Sequence, residues 1–290
     1  MRILLLGKNG QLGWELERTL APLGDIAALD YAELDLQDFT ALQRKVRELR
    51  PELIVNASAY TNVDKAESEQ DKANAVNAAV PGILAEEAVK LNAGLIHYST
   101  DYVFDGNKGQ PYIEGDTTNP LSVYGRSKLT GEEAIQAADG DYLILRTAWV
   151  YSLRGAAFVT KVLQWARQNE TLRIVDDQVS NPTWARMLAE VTAQVLARGR
   201  TTLREHKGLY HLAGSGHASR FEWAQEILKL DPKRDEQAVK QLLPALTVDF
   251  PTPAQRPLFS ALDCSKFENT FGLCLPDWRD GLRLAMVPEP

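Results

Sequence analysis

Gly7-Lys8-Asn9-Gly10-Gln11-Leu12-Gly13 is the stretch on which the fold of this chain turns. It follows the compact apolar run Ile3-Leu4-Leu5-Leu6, and it opens a stretch with Leu12, Leu16 and Leu20 at i, i+4 and i+8. Strand, glycine loop and helix in that order are the context that gives G-x-x-G-x-x-G its meaning. Glycine removes the Cβ that would block approach of a pyrophosphate to backbone N–H groups, and the helix N-terminus adds partial positive charge. Gly7, Gly10 and Gly13, with Gln11 and Leu12 between them, are therefore candidate cofactor contacts. Asp30 stands 17 residues beyond Gly13, at the end of a second short strand. A carboxylate there can hydrogen-bond both ribose hydroxyls of an adenosine and would repel a 2′-phosphate. Lys8 and Arg18 could compensate that repulsion, so NADPH and NADH both stay open as the cofactor.

Outward from this loop, apolar runs alternate with helical patterns. Strands are predicted at 3–6, 26–29, 53–55, 95–98 and 142–145. Helices are predicted at 11–23, 36–49 and 73–91, the last bent near Pro81-Gly82. Strands separated by helices of this length imply βαβ units, hence a parallel sheet with helices on both faces. The second half is less regular, with helical patterns at 158–167, 187–196 and 218–230 and strand patterns at 172–175 and 209–212. Beyond Asp231 come Pro232, Pro244, Pro251, Pro253 and Pro257, which cannot be more sheet of the same kind. The expected division is a dinucleotide-binding domain at 1–150 plus about 172–203, and a smaller substrate-binding domain at about 151–171 and 204–290. Asp35-Leu36 and Asn56-Ala57-Ser58-Ala59-Tyr60 follow the second and third strands, where ligands bind in open α/β sheets. The small residues at 57–59 let a flat cofactor lie against backbone.

Composition bounds the partners. The chain has 290 residues, 44% hydrophobic and 24% charged, with a formal charge of −7. Such an acidic chain is a poor candidate for nucleic acid, whose binding runs on phosphate neutralisation. No apolar run reaches the ~20 residues of a membrane span, and the opening apolar stretch is too short for a signal peptide. The two cysteines, Cys264 and Cys274, form no staple framework and are expected as reduced thiols in or near a core, which points to the cytoplasm. No pair among His97, His206, His211 and His217 has metal-ligand spacing, so they are expected to be structural or surface residues.

The chemistry is carried by Ser99-Thr100-Asp101-Tyr102 and Tyr124-Gly125-Arg126-Ser127-Lys128. Tyr124 and Lys128 are four apart and share one helix face. An ammonium beside a phenol favours the phenolate and lowers its pKa from about 10. Such a tyrosine exchanges a proton with a carbonyl or alcohol oxygen, and the Thr100 hydroxyl can hydrogen-bond that same oxygen.

The glycine loop with Y-x-x-x-K resembles the extended short-chain dehydrogenase/reductase superfamily. Further stretches narrow the likeness: Val63-Asp64-Lys65-Ala66-Glu67, Ser99-Thr100-Asp101-Tyr102-Val103-Phe104-Asp105-Gly106, Arg146-Thr147-Ala148-Trp149-Val150-Tyr151, Asp177-Gln178-Val179-Ser180-Asn181-Pro182-Thr183, and Pro251 to Pro257. With these the chain is similar to the dTDP-4-dehydrorhamnose reductase family along nearly its whole length. That resemblance implies a Rossmann-type doubly wound α/β sheet with a smaller C-terminal α/β domain. It implies NADPH- or NADH-dependent reduction of the C4 ketone of dTDP-4-dehydro-L-rhamnose. Tyr124, Lys128 and Thr100 would be catalytic. Gly10 to Leu12, Asp30, Asp35, Leu36, Ala59, Tyr60, Thr61, Tyr124 and Lys128 would hold the cofactor. Val63, Thr100, Asp101, Tyr102 and Trp149 would line the sugar site, and an aromatic face such as Trp149 packs well on the apolar face of a deoxy sugar. Arg256 is the candidate cation for the substrate diphosphate.

Some members dimerise around a magnesium ion held by acidic side chains. Glu15 matches one such position, but Arg186 stands where another acid is expected. No metal is therefore expected, and a homodimer is left open. Two other readings stay open at this stage. One is another nucleotide-sugar epimerase or dehydratase of the superfamily. The other is a regulatory subunit related to this reductase that binds cofactor without needed turnover.

Overall fold

The computed structural model describes residues 1–199 and 201–287. Five strands set the frame: β1 (Arg2–Leu6), β2 (Asp25–Leu29), β3 (Leu53–Asn56), β4 (Gly94–Thr100) and β5 (Asp141–Thr147). With Gly208–His211 they form one six-stranded sheet in the order Gly208–His211, β5, β4, β3, β1, β2, parallel throughout. The strands read as unbroken apolar runs because helices bury both faces. The pleat sends Ile3, Leu5 and Val55 into one core with Leu16 and Leu188. It sends Leu4, Leu6 and Ile54 into the other, with Leu42, Val46 and Leu84.

The crossover helices begin and end for local reasons. Helix α1 (Gln11–Thr19) stops short of the predicted 23 because Pro22 sits in a separate 3₁₀ turn, Ala21–Leu23. Helix α2 (Phe39–Leu49) starts later than 36 because Asp38 caps it, accepting from Ala41 N at 2.8 Å. The predicted helix at 73–91 is instead three pieces. After α3 (Val63–Ala66), α4 (Gln70–Asn74) leads into a π-helical turn at Ala75–Ala79 and then α5 (Val80–Leu91). The irregularity lies before Pro81, not at it, since Pro81 occupies the first turn of α5, where its missing N–H costs little. Helix α6 (Val123–Ala138) is capped by Ser122, which accepts from Gly125 N at 3.1 Å.

The expected domain division differs from the packing at two places. Gly208–His211, placed with the smaller unit, is the edge strand of the large sheet beside β5. Thr171–Val175, placed in the larger unit from 172, pairs with Gln241–Ala245 in a two-stranded sheet outside it. After α7 (Phe158–Gln168), α8 (Ala185–Ala197) packs on the large sheet with Leu203, Phe267 and Phe271. A third core joins Tyr151, Val159, Val162, Ile174, Trp223, Ile227 and Trp278, and this is the core of the smaller body. The last three residues of the predicted smaller domain lie outside the described residues. Both cysteines are free, and Cys274 is exposed and not in a core as expected. No helix among the described residues is long and apolar enough to cross a membrane.

Candidate active site

The chain leaves β1 for β2 on one side and for β3 on the other, so the sheet's switch point lies between β1 and β3. Loops at the carboxyl ends of these two strands must diverge there, which opens a crevice. A cleft of 1140 Å³ occupies this place. Gly7, Gly10, Gln11 and Leu12 line it after β1, Asp30, Asp35 and Leu36 after β2, and Ala57, Ala59, Tyr60 and Thr61 after β3. Thr100, Asp101, Tyr124, Lys128 and Trp149 close its far end.

The glycines divide the work. Gly7 has φ +87°, and a Cβ there would lie 2.9 Å from the backbone of Ala57 and Ser58. A side chain at Gly13 would meet the Gly7 carbonyl at 1.9 Å, so Gly13 serves the tight turn, and it does not line the cleft as expected. Gln11 lines the cleft, and its side chain bridges to the segment after β5, accepting from Ser152 N at 2.7 Å. Asp30 accepts from Asn9 N at 2.9 Å and from Tyr31 N at 2.7 Å, holding the carboxylate across the glycine loop. Lys8 is paired to Glu33 at 2.5 Å and Arg18 lies 3.4 Å from the Trp14 ring centroid, so each is engaged elsewhere. With Asp30 so placed, Asp30→Ala is expected to shift the ratio of kcat/KM for the two cofactors toward NADPH. Parallel titrations of initial rate with NADPH and NADH check this, and an unchanged ratio would reject the ribose role.

Asn77 is a residue that sequence reasoning missed. It lies in the π-helical turn and clamps Tyr60, accepting from Tyr60 N at 2.8 Å and donating to Tyr60 O at 3.1 Å. It also donates to Ser127 Oγ of α6 at 3.1 Å, tying the β3 loop to the catalytic helix. Single-turn π segments recur at functional sites, but the sequence signals only a helix here.

Tyr124 and Lys128 share one face of α6, as the spacing predicts; Lys128 is buried and Tyr124 is half-buried. The expected electrostatics differ. Burial raises the Tyr124 phenol above its ordinary value, the Thr100 hydroxyl offsets part of this, and the Asp101 charge adds to it. The Lys128 Nζ is engaged by Tyr98 O at 2.6 Å and His97 Nε2 at 3.1 Å. Burial lowers Lys128 to about 8, against the opposing charge of Glu132. His97, expected to be a structural or surface residue, is buried behind Lys128 and does not line the cleft.

Asp101 lines the cleft but is bound to the protein. Its Oδ2 accepts from Ser180 Oγ at 3.0 Å and from Ser260 Oγ at 2.5 Å, and its Oδ1 accepts from Thr100 Oγ1 at 3.1 Å. Burial raises its carboxyl to about 6, against these donors. It thus joins β4 to two segments of the second half and orients the Thr100 hydroxyl.

Three predicted substrate contacts do not line the cleft: Val63, Tyr102 and Arg256. Val63 begins α3, and the next residue, Asp64, pairs with Arg256 at 2.8 Å. Arg256 is thus not a free cation. The Tyr102 side chain lies edge-on to Tyr124, with ring centroids 5.8 Å apart, and the charges of Arg220 and Arg256 both bear on its hydroxyl. Arg220 is a second residue the sequence did not reveal. It opens α9 (Arg220–Leu230), where a Ser219–Glu222 capping box fixes the helix start. Its guanidinium lies 4.0 Å from the Trp149 ring centroid and 4.9 Å from that of Phe158. Trp149 has φ +40°, a strained backbone for an aromatic residue, and stacks on Trp223 at 5.6 Å. The capping box marks a helix start but gives no sign that Arg220 meets Trp149 and Tyr102. Among the described residues no group of three or more His, Cys, Asp or Glu could hold a metal ion. Arg186 pairs with Glu190 at 2.9 Å.

Comparisons with known proteins place this geometry. Residues 1–288 match the family described as RmlD substrate binding domain. The chain is 42% identical over 295 residues to a dTDP-4-dehydrorhamnose reductase of Burkholderia thailandensis, covering 99% of this chain and 98% of that one. The crystal structure of a dTDP-4-dehydrorhamnose reductase from Clostridium acetobutylicum superposes with a TM-score of 0.91 at 35% identity, covering 99% and 98% of the two chains. A dTDP-4-dehydrorhamnose reductase from Bacillus anthracis, solved in complex with NADP, superposes with a TM-score of 0.89 at 33% identity, covering 98% and 97%. A Rossmann-type sheet, a Thr-Tyr-Lys cluster in the cleft at its carboxyl edge and likeness over the full length agree: the chain belongs to the RmlD family of dTDP-4-dehydrorhamnose reductases.

Proposed function

We propose that this chain reduces the C4 ketone of dTDP-4-dehydro-L-rhamnose, using NADPH or NADH, to give dTDP-L-rhamnose. The carrying observation is the convergence of Thr100, Tyr124 and Lys128 at one end of a cleft whose other end is the glycine loop and Asp30. The cleft fits a dinucleotide: it runs past backbone freed of side chains at Gly7 and Gly10, then past the small residues Ala57 and Ala59. Gly10 to Leu12 would hold the diphosphate through backbone, Asp30 the adenosine ribose, and Tyr60 and Lys128 the nicotinamide half. Bound there, the cofactor supplies the hydride.

Ketone reduction adds a hydride at carbon and a proton at oxygen. Tyr124 supplies the proton: burial keeps its phenol protonated through neutral pH, which suits a donor to a developing alkoxide. Thr100 would hydrogen-bond the same oxygen by turning toward it the one hydroxyl proton that here goes to Asp101 Oδ1. Trp149, at the far end of the cleft, would border the sugar, and Arg220 over its ring is a second candidate, beside Arg256, for the diphosphate. A guanidinium matches phosphate oxygens in two parallel hydrogen bonds. Arg220→Met is therefore expected to raise KM for the nucleotide sugar at least about tenfold, with a smaller change in kcat, the pattern of lost ground-state binding. Steady-state kinetics over a range of sugar concentrations check this.

The experiment that tests the function follows nicotinamide absorbance with dTDP-4-dehydrorhamnose made in the cuvette by the upstream enzymes. NADPH and NADH are offered separately. Sugar-dependent oxidation is expected. No oxidation with either, in protein shown to bind cofactor, would reject the substrate.

A further inference from the structure

Behind Lys128 lies a chain of buried polar groups that catalysis by Thr100, Tyr124 and Lys128 does not require. Lys128 Nζ is 3.1 Å from His97 Nε2 of β4, and His97 Nδ1 is 3.1 Å from Asn56 Nδ2 at the end of β3. Asn56 Oδ1 accepts from Ser58 N at 3.2 Å and from Ser58 Oγ at 2.5 Å, and Ser58 lines the cleft. Asn56, His97 and Lys128 are each no more than 1% exposed.

The network fixes where hydrogens sit. A backbone N–H can only donate, so Ser58 N holds Asn56 with Oδ1 toward it and Nδ2 toward His97. The opposite amide orientation would set Nδ2 against that N–H. Asn56 Nδ2 is then a donor facing His97 Nδ1, which must accept. A neutral imidazole that accepts at Nδ1 carries its proton on Nε2. That N–H points at Lys128 Nζ. An ammonium has only donors, whereas an amine has a lone pair to receive it. The Tyr98 carbonyl, at 2.6 Å, accepts from Nζ in either state.

We propose that His97 is a positioning residue for Lys128: held by Asn56 with its Nε2–H toward Nζ, the ring favours the uncharged amine and makes Lys128 an exchangeable proton store. This rests on the reading of Lys128 as part of the catalytic site. Tyr124 loses one proton per ketone reduced and must regain one. Tyr124 and Lys128 both line the cleft; Lys128 passing from ammonium to amine releases one proton, which water in the cleft carries to the Tyr124 phenolate, and solvent then reprotonates the amine. Glu132, one turn beyond Lys128 in α6, favours the ammonium but is itself held by Arg146 of β5 and Ser99 of β4. Lys128 is the charge that acts on His97, and together with burial it keeps the ring neutral. The Tyr98 hydroxyl points away, bonded to Thr192 at 2.9 Å, and β3 contributes the neutral Asn56 amide. Burial lowers Lys128 to about 8, the direction that the His97 N–H reinforces.

Nitrogen-15 NMR of the full-length protein, labelled at histidine, tests the tautomer directly. The His97 signals are assigned by their loss in His97→Gln. They are expected to show the Nε2–H form at neutral pH, with no imidazolium down to about pH 5, well under the ordinary histidine range. An Nδ1–H form or an imidazolium at neutrality would overturn the proposal. Asn56→Asp offers a carboxylate to Nδ1 and is expected to switch the ring to Nδ1–H, which also assigns the signal if His97→Gln fails to fold. The pH profile of kcat/KM tests the consequence. In His97→Gln, or in Asn56→Asp, its alkaline limb is expected to move up by about one pH unit. NADPH affinity, measured by fluorescence titration, should stay within about threefold, a change under 0.7 kcal/mol. An unmoved limb would also overturn it. Lys128→Met separates the two readings. If that variant turns over normally, the role of Lys128 itself fails. If it is inactive while the His97→Gln limb is unmoved, only the role of His97 fails.

Discussion

Tyr124→Phe is expected to lower kcat by about two to four orders of magnitude, the span of a positioned general acid. Cofactor affinity should stay within a few-fold. The substitution removes one oxygen and keeps the ring, whose edge-on contact with Tyr102 holds it in place. The Thr100 hydroxyl and the glycine loop are untouched, so the dinucleotide should still bind. Single-turnover mixing with preformed cofactor complex separates the two effects. Equal loss of binding and turnover would show that Tyr124 shapes the cleft instead of donating the proton. The pH dependence carries a further sign. Burial pushes Tyr124 above its ordinary value, so it remains a proton donor throughout the working range. The alkaline loss of activity should therefore fall near the Lys128 value of about 8.

Arg146→Met is the second large effect, and it falls on stability. Arg146 of β5 and Glu132 of α6 form a buried ion pair, with Nη2 to Oε2 at 2.6 Å and Nε to Oε1 at 3.0 Å. Ser99 Oγ donates to the same carboxylate. Removing the guanidinium leaves a buried charge with one hydroxyl partner. Breaking a buried pair from one side costs about 3–5 kcal/mol. For a chain of this size that is a fall in Tm on the order of 10 °C. The double variant Arg146→Met with Glu132→Leu removes both charges and should recover most of the loss. Thermal unfolding of the two variants checks this, and a double variant as unstable as the single would mean that the loss arises from packing. Because Ser99 precedes Thr100, the single variant should also lower turnover in what remains folded.

Much of the site was legible in the sequence because its signals are local. A glycine loop between strand and helix, a carboxylate at the next strand end and a Tyr-Lys pair at i, i+4 each depend on residues close in the chain. The parallel sheet followed from the alternation of short apolar runs with helices. Even the departures near the loop have local causes, such as the Asp38 cap and Pro22.

What only the tertiary structure decided depends on groups far apart in sequence. Arg220 meets Tyr102, and Trp149 meets Arg220, across chain separations that no periodicity encodes. Arg256 has the charge for a diphosphate, yet Asp64 neutralises it from the other half of the chain. The edge strand Gly208–His211 joins the large sheet because an open parallel edge at β5 was there to be paired. The protonation of the site belongs to the same class. Residue type and spacing say that Tyr124 and Lys128 share a face. Which groups the lysine meets is decided by the fold, and here its Nζ lies against Tyr98 O and His97 Nε2. Local geometry is encoded by neighbours in the chain, whereas desolvation and charge pairing are set by whatever folding brings into contact.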